Sequence, residues 1–352
     1  MPDTLHIASG DLLRLVRTAF ERVGVPASDA ATAAEILVSA DLQGIGTHGV
    51  RRLGPYVARL RDGVFAPAPT IRIDRTAPAT ALVDGGGGLG PVVGVRGLST
   101  ALEIAAETGI AYVGCRNSQH FGALAPYARR AAEAGMICLL GSTAFATMAP
   151  WGGREVRIGN NPIGLGAPRR GAPPFILDIA LSVAARGKMR LAQQRGEAIP
   201  PGWALDAEGR PTTDPLEGLK GFVLPIGGHK GYGLALAVDI LAGVLTGGAV
   251  SPEVRSLFQQ AREPQGVCHF FIALDPARLL GRDAYGDRIE TLCRLMAETP
   301  PFDPAAPVLI PGEVEARTLA DRTARGIPLE AAEFAAIEAM ARGEPPDKVA
   351  AF

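Results

Sequence analysis

Asp84-Gly85-Gly86-Gly87-Gly88-Leu89-Gly90 is the stretch on which the reading of the fold turns. Gly85, Gly87 and Gly90 satisfy GxGxxG, after an apolar run at Thr80 to Asp84 that reads as a strand and before helical spacing over Val92 to Thr108. In a dinucleotide-binding βαβ unit such glycines bring a pyrophosphate to a helix N-terminus. The second strand of that unit should carry an acid for the ribose about 20 residues on. Here the next strand, Ile110 to Cys115, ends in Gly114-Cys115-Arg116-Asn117, with no acid. An arginine suits a 2′-phosphate, so the fingerprint is weakened rather than excluded. The plainer reading is a glycine-rich turn that starts a helix, because a lone match is weak evidence.

Upstream of the turn, residues 11–42 show helical spacing through Leu12, Leu13, Leu15, Val16 and Phe20. Pro26-Ala27-Ser28 supplies a break and a cap before a second helix, Ala30 to Leu42. A loop at Gly44–Gly49 leads into a third helix, roughly Val50 to Asp62, and proline-spaced residues 64–79 read as a connector. Downstream, helix Ala123 to Ala134 precedes short strands and turns to about Leu177. A helix over Gly231–Leu245, a strand over Val267–Leu274, a helix over Asp283–Glu298 and a helical tail from about Glu315 follow. The class is α/β or α+β, with no internal repeat and no low-complexity linker.

The chain has 352 residues, a net charge of -1 and 47% hydrophobic content, so it can bury a large core and is not generally disordered. No lysine- or arginine-rich run appears, which argues against nucleic acid and anionic membranes as partners. Cys115, Cys138, Cys268 and Cys293 are scattered without CxxC spacing, which points to reduced thiols in a cytoplasmic protein and to no bound metal. Asp3, His6 and Asp11 stand where a signal peptide would need a basic start and an apolar run.

Between Asn117 and Lys230 the sequence repeatedly mixes glycine with groups that move protons or hold anions, which marks a ligand site gathering several loops of an enzyme. The motifs run in order: Thr47-His48-Gly49-Val50-Arg51-Arg52, Asn117-Ser118-Gln119-His120-Phe121-Gly122, Ala149-Pro150-Trp151-Gly152-Gly153, Asn160-Asn161-Pro162, Asp178-Ile179-Ala180, Ala185-Arg186-Gly187-Lys188, Gly228-His229-Lys230-Gly231-Tyr232-Gly233 and Pro311-Gly312-Glu313. In these the chain resembles the type-2 malate/L-lactate dehydrogenase family over about residues 8 to 330. That family includes ureidoglycolate and sulfolactate dehydrogenases, diketogulonate reductase and the piperideine/pyrroline-2-carboxylate reductases. The resemblance implies a homodimeric oxidoreductase using NAD or NADP, with a cofactor fold unrelated to Rossmann. It also implies a helical lobe from residues 1–72 with 315–352, and an α/β cofactor- and substrate-binding region over 73–314.

Carried onto this sequence, the resemblance makes His48, His120, Thr47 and Lys188 the catalytic candidates. Arg52, with His48, falls on the substrate-binding positions. His120, Phe121, Gly122, Ala123, Leu124, Asp178, Ile179, Ala180, Lys230, Gly312 and Glu313 fall on the cofactor-binding ones. Family members differ in which histidine moves the proton, so both are kept. Thr47 replaces the family's serine and keeps the hydroxyl. Ser142-Thr143-Ala144 replaces the usual Thr-Asn-Ser, so hydroxyl contacts to the cofactor are not carried over there.

The residues suit the chemistry in their own right. Oxidising a 2-hydroxy acid needs a carboxylate anchor, a base and a hydride acceptor. A guanidinium such as Arg52 holds a carboxylate in two bonds, and a histidine titrates near neutrality. No side chain accepts a hydride, so a cofactor is required. Each residue also has a duller reading. His48 could bridge its turn, and Lys188 and Lys230 could be solvated. Asp178 could cap a helical turn near Leu181. His120, read at a helix start, would have its pKa depressed by the dipole. His229 and His269 read as structural. The imino-acid reductases carry aspartate where this chain has Lys188, which favours the hydroxy-acid branch. Reduction of cyclic imino acids is the alternative, with a Rossmann-type NADP enzyme and a non-catalytic ligand-binding paralogue as outside readings.

Overall fold

Leu12, Val16, Ala19 and Phe20 lie at successive turns on one face of helix Ser9–Arg22, and all four are fully buried. They meet helices Ala27–Leu42, Leu53–Arg61 and Ala331–Arg342 in one apolar cluster that also takes Ile327, Leu329, Ile337 and Met340 from the far end of the chain. Strand Thr4–Ile7 pairs antiparallel with strand Ile327–Glu330, which fastens the two ends together. The computed structural model describes residues 4–260 and 262–346; Asp3 and the last stretch of the tail, 347–352, lie outside the described residues.

A seven-stranded sheet forms the centre. Its order is Arg72–Ala77, Thr80–Asp84, Ile110–Ser118, Val267–Leu274, Ile137–Ser142, Ile163–Ala167 and Phe175–Ile179. Side chains alternate across it as the two-residue strand period requires. From the central strand, Phe271 and Ala273 pack under helices Gly90–Thr108 and Ala125–Glu133, while Cys268 and Phe270 face the opposite cluster with Val238 and Ala242. Each such buried aromatic contributes roughly 1.5–3 kcal/mol. A five-stranded sheet, ordered Pro211–Thr212, Ala204–Leu205, Phe222–Val223, Ala146–Met148 and Ile158–Gly159, sits beyond that second cluster.

The glycine fingerprint does not open a doubly wound sheet. Thr80–Asp84 and Ile110–Ser118 are parallel, but every other pairing in the large sheet is antiparallel. The glycines serve internal packing instead. A side chain at Gly90 would run into the carbonyls of Gln119 and His120, and one at Gly85 would meet Val93 and the Asn117 carbonyl. The start of helix Gly90–Thr108 is thus pressed against the protein's own backbone, where a pyrophosphate would have to lie. The Rossmann-type NADP reading is overturned on this geometry.

Other elements also depart from expectation. The connector 64–79 contains the edge strand Arg72–Ala77, and the helical tail is interrupted by Ile327–Glu330. Helix His229–Val238 passes into a wider π turn at Asp239–Gly243 instead of continuing to Leu245 as one helix.

Candidate active site

The turn bearing His48 is built from below by Asp41. Its carboxylate accepts the Val50 N–H at 2.7 Å, and a side chain at Gly49 would collide with it, so glycine is required there. Burial pushes the Asp41 carboxyl up to about 7. Arg322, from helix Glu313–Arg325, donates to the Asp41 carbonyl at 2.5 Å. The chain then makes two short 3-10 turns, Gly46–His48 and Val50–Arg52, where a continuous helix from Val50 was expected. Thr47 Oγ1 lies 2.9 Å from His48 Nδ1, and Arg52 Nε donates to the Thr47 carbonyl at 2.7 Å. The Arg52 guanidinium stands 5.4 Å from the Phe258 ring centre and forms no ion pair among the described residues.

His120 follows strand Ile110–Ser118 and lies in a loop, five residues ahead of helix Ala125–Glu133. Its N–H donates to Gln265 Oε1 at 3.0 Å, and the Gln265 N–H donates to Gln119 Oε1 at 2.9 Å, so two segments clasp one another. The Tyr56 hydroxyl reaches His120 Nδ1 at 2.6 Å and the His120 carbonyl at 2.9 Å. The His48 and His120 rings stack with centres 5.6 Å apart. Desolvation, then Arg52, holds His48 down at about 3; desolvation, Arg52, His48 and His269 hold His120 well below the usual range. The helix-dipole cause expected for His120 is therefore replaced by burial and neighbouring charge. Both rings are neutral at neutral pH.

Phe121, Ala123 and Leu124 are buried, with Phe121 wedged between Tyr127 at 4.6 Å and His269 at 3.9 Å. A ligand can meet this stretch only through its backbone, which Gly122, at φ 84°, bends past the His48 carbonyl. His269 is fully buried and joined to Ser118 at 2.8 Å and Ser142 at 3.0 Å, a structural role as expected. Ser142 and Thr143 spend their hydroxyls inside the protein, on His269 and around Cys268.

Asp178 lies within strand Phe175–Ile179, and its Oδ2 accepts the Leu124 and Ala125 N–H groups at 2.9 Å each. It caps helix Ala125–Glu133, not a turn near Leu181. The Ile176 N–H donates to the Pro311 carbonyl at 3.0 Å, which brings Gly312, at φ 96°, and Glu313 to the same strand. Glu313 Oε1 lies 3.7 Å from Arg169. Past Ile179 and Ala180, the Leu181 carbonyl accepts the Ile226 N–H, tethering the loop Gly227-Gly228 that starts helix His229–Val238. Gly227 and Gly228 have positive φ, and Lys230 is exposed in the first turn without an ion pair among the described residues. A glycine loop, a helix N-terminus and an uncommitted cation form a cradle that fits a phosphate-bearing cofactor.

Three of the expected groups, His48, Arg52 and His120, thus lie together, and the Leu124, Asp178, Gly312 and Lys230 segments gather around the sheet edge. Lys188 stands apart. It is exposed on helix Arg186–Arg195 with Nζ 5.9 Å from the Trp203 ring centre, and among the described residues no bond joins it to His48, Arg52 or His120. Sequence reasoning missed Tyr56, Gln265 and Phe258. Tyr56 falls one turn after Arg52 and reads as core; the other two carry no motif.

A family model described as malate/L-lactate dehydrogenase matches residues 7–338. The chain is 38% identical over 333 residues to malate dehydrogenase of Pyrococcus horikoshii, covering 92% of this chain and 91% of the relative. It is 39% identical over 284 residues to the (2R)-3-sulfolactate dehydrogenase (NADP(+)) of Chromohalobacter salexigens, covering 81% and 84%. Among solved structures it is similar to delta1-piperideine-2-carboxylate reductase of Pseudomonas syringae, with TM-score 0.87, 29% identity and coverage of 96% and 99%.

Proposed function

The chain belongs to the malate/L-lactate dehydrogenase family, and from that premise we propose that it moves a hydride between NAD or NADP and a small 2-hydroxy acid or its 2-oxo acid. The observation that carries the reading is the Arg52 guanidinium, free of carboxylates among the described residues, beside two neutral stacked histidines. Arg52 holds the substrate carboxylate and so fixes which face of the carbinol carbon is presented. A histidine nitrogen takes the hydroxyl proton in oxidation and returns it in reduction. When bound, the nicotinamide cofactor supplies the hydride acceptor or donor. Lys230 and the Gly227-Gly228 loop bind its phosphates. The backbone of His120–Leu124, the Asp178–Ala180 turn and the Gly312-Glu313 turn line the rest of its path. Thr47 orients His48 through its hydroxyl.

Lys188, which stands apart from His48, Arg52 and His120 within one chain, joins the same reading only where a second copy of the chain brings it to the substrate, as a cation that stabilises the oxygen developing charge during reduction or holds a second carboxylate. It would disfavour a protonated imine. The likeness to the piperideine-2-carboxylate reductase motivates the second reading, reduction of cyclic imino acids. Assaying a panel of 2-oxo acids and cyclic imines with NADH and NADPH decides between them. A higher specificity constant on piperideine-2-carboxylate than on every 2-oxo acid would replace the first reading by the second.

We further propose a cytoplasmic homodimer, with a helical lobe of residues 1–72 and 315–352 set against 73–314. Support for the dimer comes from the exposed apolar residues Leu234, Ile240, Val244 and Leu245, which run from helix His229–Val238 through the π turn Asp239–Gly243 to the short turn Val244–Thr246. Free, buried thiols support a reducing compartment, and among the described residues no helix is long and apolar enough to cross a membrane. Full activity from a monomer in light scattering would sink the dimer.

A further inference from the structure

We propose that Tyr56 is a positioning residue that fixes the tautomer of His120 and so makes Nε2 the ring atom that takes and returns the substrate proton. The inference rests on the dehydrogenase reading for its chemistry, but its geometry stands alone.

Tyr56 is fully buried on helix Leu53–Arg61, and its oxygen touches two atoms of one residue, His120 Nδ1 at 2.6 Å and the His120 carbonyl at 2.9 Å. A phenol has one proton to give, and a carbonyl can only accept. If the phenol gave its proton to Nδ1, its oxygen lone pairs would face the carbonyl oxygen at 2.9 Å with nothing between them. Both contacts are satisfied together only if the phenol donates to the carbonyl and accepts from an Nδ1–H. A neutral imidazole carries one proton. With Nδ1 occupied, Nε2 is left with its lone pair, ready to act as a base.

The arrangement also survives the reaction. When Nε2 takes the hydroxyl proton, the imidazolium still has its Nδ1–H, so neither bond to Tyr56 changes. In reduction the Nε2 proton passes to the alkoxide oxygen and the ring returns to its starting form. The proton balance closes on one nitrogen, with no rotation of Tyr56. Burial keeps the phenol protonated by raising it above its ordinary range. The backbone bond from His120 to Gln265 holds the main chain that carries the ring in place.

His48 has no such lock. Its Nδ1 faces the Thr47 hydroxyl at 2.9 Å, a rotor that donates or accepts equally well, on an exposed residue. Either tautomer fits there. Of the two histidines, only His120 has its proton assigned by its surroundings.

Nitrogen-15 NMR of the full chain labelled in histidine tests this without any substrate, with His120 assigned by its loss in His120→Gln. The expected result is a protonated Nδ1 and a bare Nε2 for His120 in the wild type. Tyr56→Phe should turn this into a mixture of tautomers while the His269 signals, set by Ser118 and Ser142, stay in place. The same variant should lower kcat by on the order of 10- to 100-fold, less than loss of a whole proton-transfer group, with little change in KM. A wild-type His120 protonated on Nε2 would overturn the proposal whether or not Tyr56→Phe folds. So would an unchanged tautomer in a folded Tyr56→Phe. A protein with the expected tautomer but no activity on any 2-oxo acid would instead overturn the functional reading and leave the tautomer standing.

Discussion

Asp178 reaches out of its strand to take the backbone N–H of Leu124, and with it that of Ala125, so a residue from one edge of the sheet caps a helix that begins 53 residues earlier. The cap ties the loop after His120 to the edge strand. Asp178→Ala should leave two N–H groups without their acceptor and cost roughly 1–3 kcal/mol. Asp178→Asn keeps one oxygen and should cost less. Thermal unfolding of the two variants measures this, and equal losses would mean that the cap contributes little.

The paired histidines make a kinetic prediction. His48→Ala and His120→Ala should each slow hydride transfer, the loss of the proton-transfer group costing about 3–5 kcal/mol of transition-state stabilisation. Single-turnover absorbance of the reduced cofactor reads that step directly. If both variants kept wild-type rates, the histidine pair would not be the site.

Arg52→Lys keeps the charge and loses the fork. Binding of a 2-oxo acid should weaken, and binding of its uncharged amide should change much less. Calorimetry on both compounds, with cofactor present, separates the two. Equal losses would show that Arg52 does not grip the carboxylate.

Asp41 predicts a pH effect whose sign is fixed by burial. Its folded carboxyl sits at about 7 against an ordinary 3.8, so the folded state holds a proton that the unfolded state has released. Its contribution to stability therefore falls as pH rises from about 4 toward 7, by a total on the order of 4 kcal/mol, and is flat above. His48, depressed to about 3, slopes the opposite way below its ordinary 6.5, and does so in both proteins compared. Asp41→Asn should thus gain on the wild type as pH rises through that window. Parallel stability curves would refute the buried-charge reading.

Where the sequence could be read, local periodicity did the reading. Leu12, Val16 and Phe20 announce their helix because each turn faces the same core. Edge strand Arg72–Ala77 escaped because all six residues are exposed and no alternation survives. Thr4–Ile7 and Ile327–Glu330 escaped because their partner lies at the other end of the chain. The candidate site followed the same rule. His48 and Arg52 are neighbours in sequence and legible as a motif, and His120 has its own motif. Tyr56 looks like any apolar-face residue until the fold brings His120 to it from 64 residues away. Asp178 was legible as important, but its partners, Leu124 and Ala125, were not.

The ribbon of Thr4–Ile7 on Ile327–Glu330 has a consequence for how the protein is born. Closing a loop of more than 300 residues carries an entropy cost that grows only slowly with length, so the pairing is affordable, but it cannot begin until the late strand has left the ribosome. The same late segment supplies Arg322 and Glu333, which hold the Asp41 and Arg51 ends of the His48 turn. A nascent chain therefore carries its His48 turn unsupported until residues 322–333 have emerged, and only then acquires it in its folded form. Premature release near residue 320 should yield a protein with most of its central sheet and no catalytic competence.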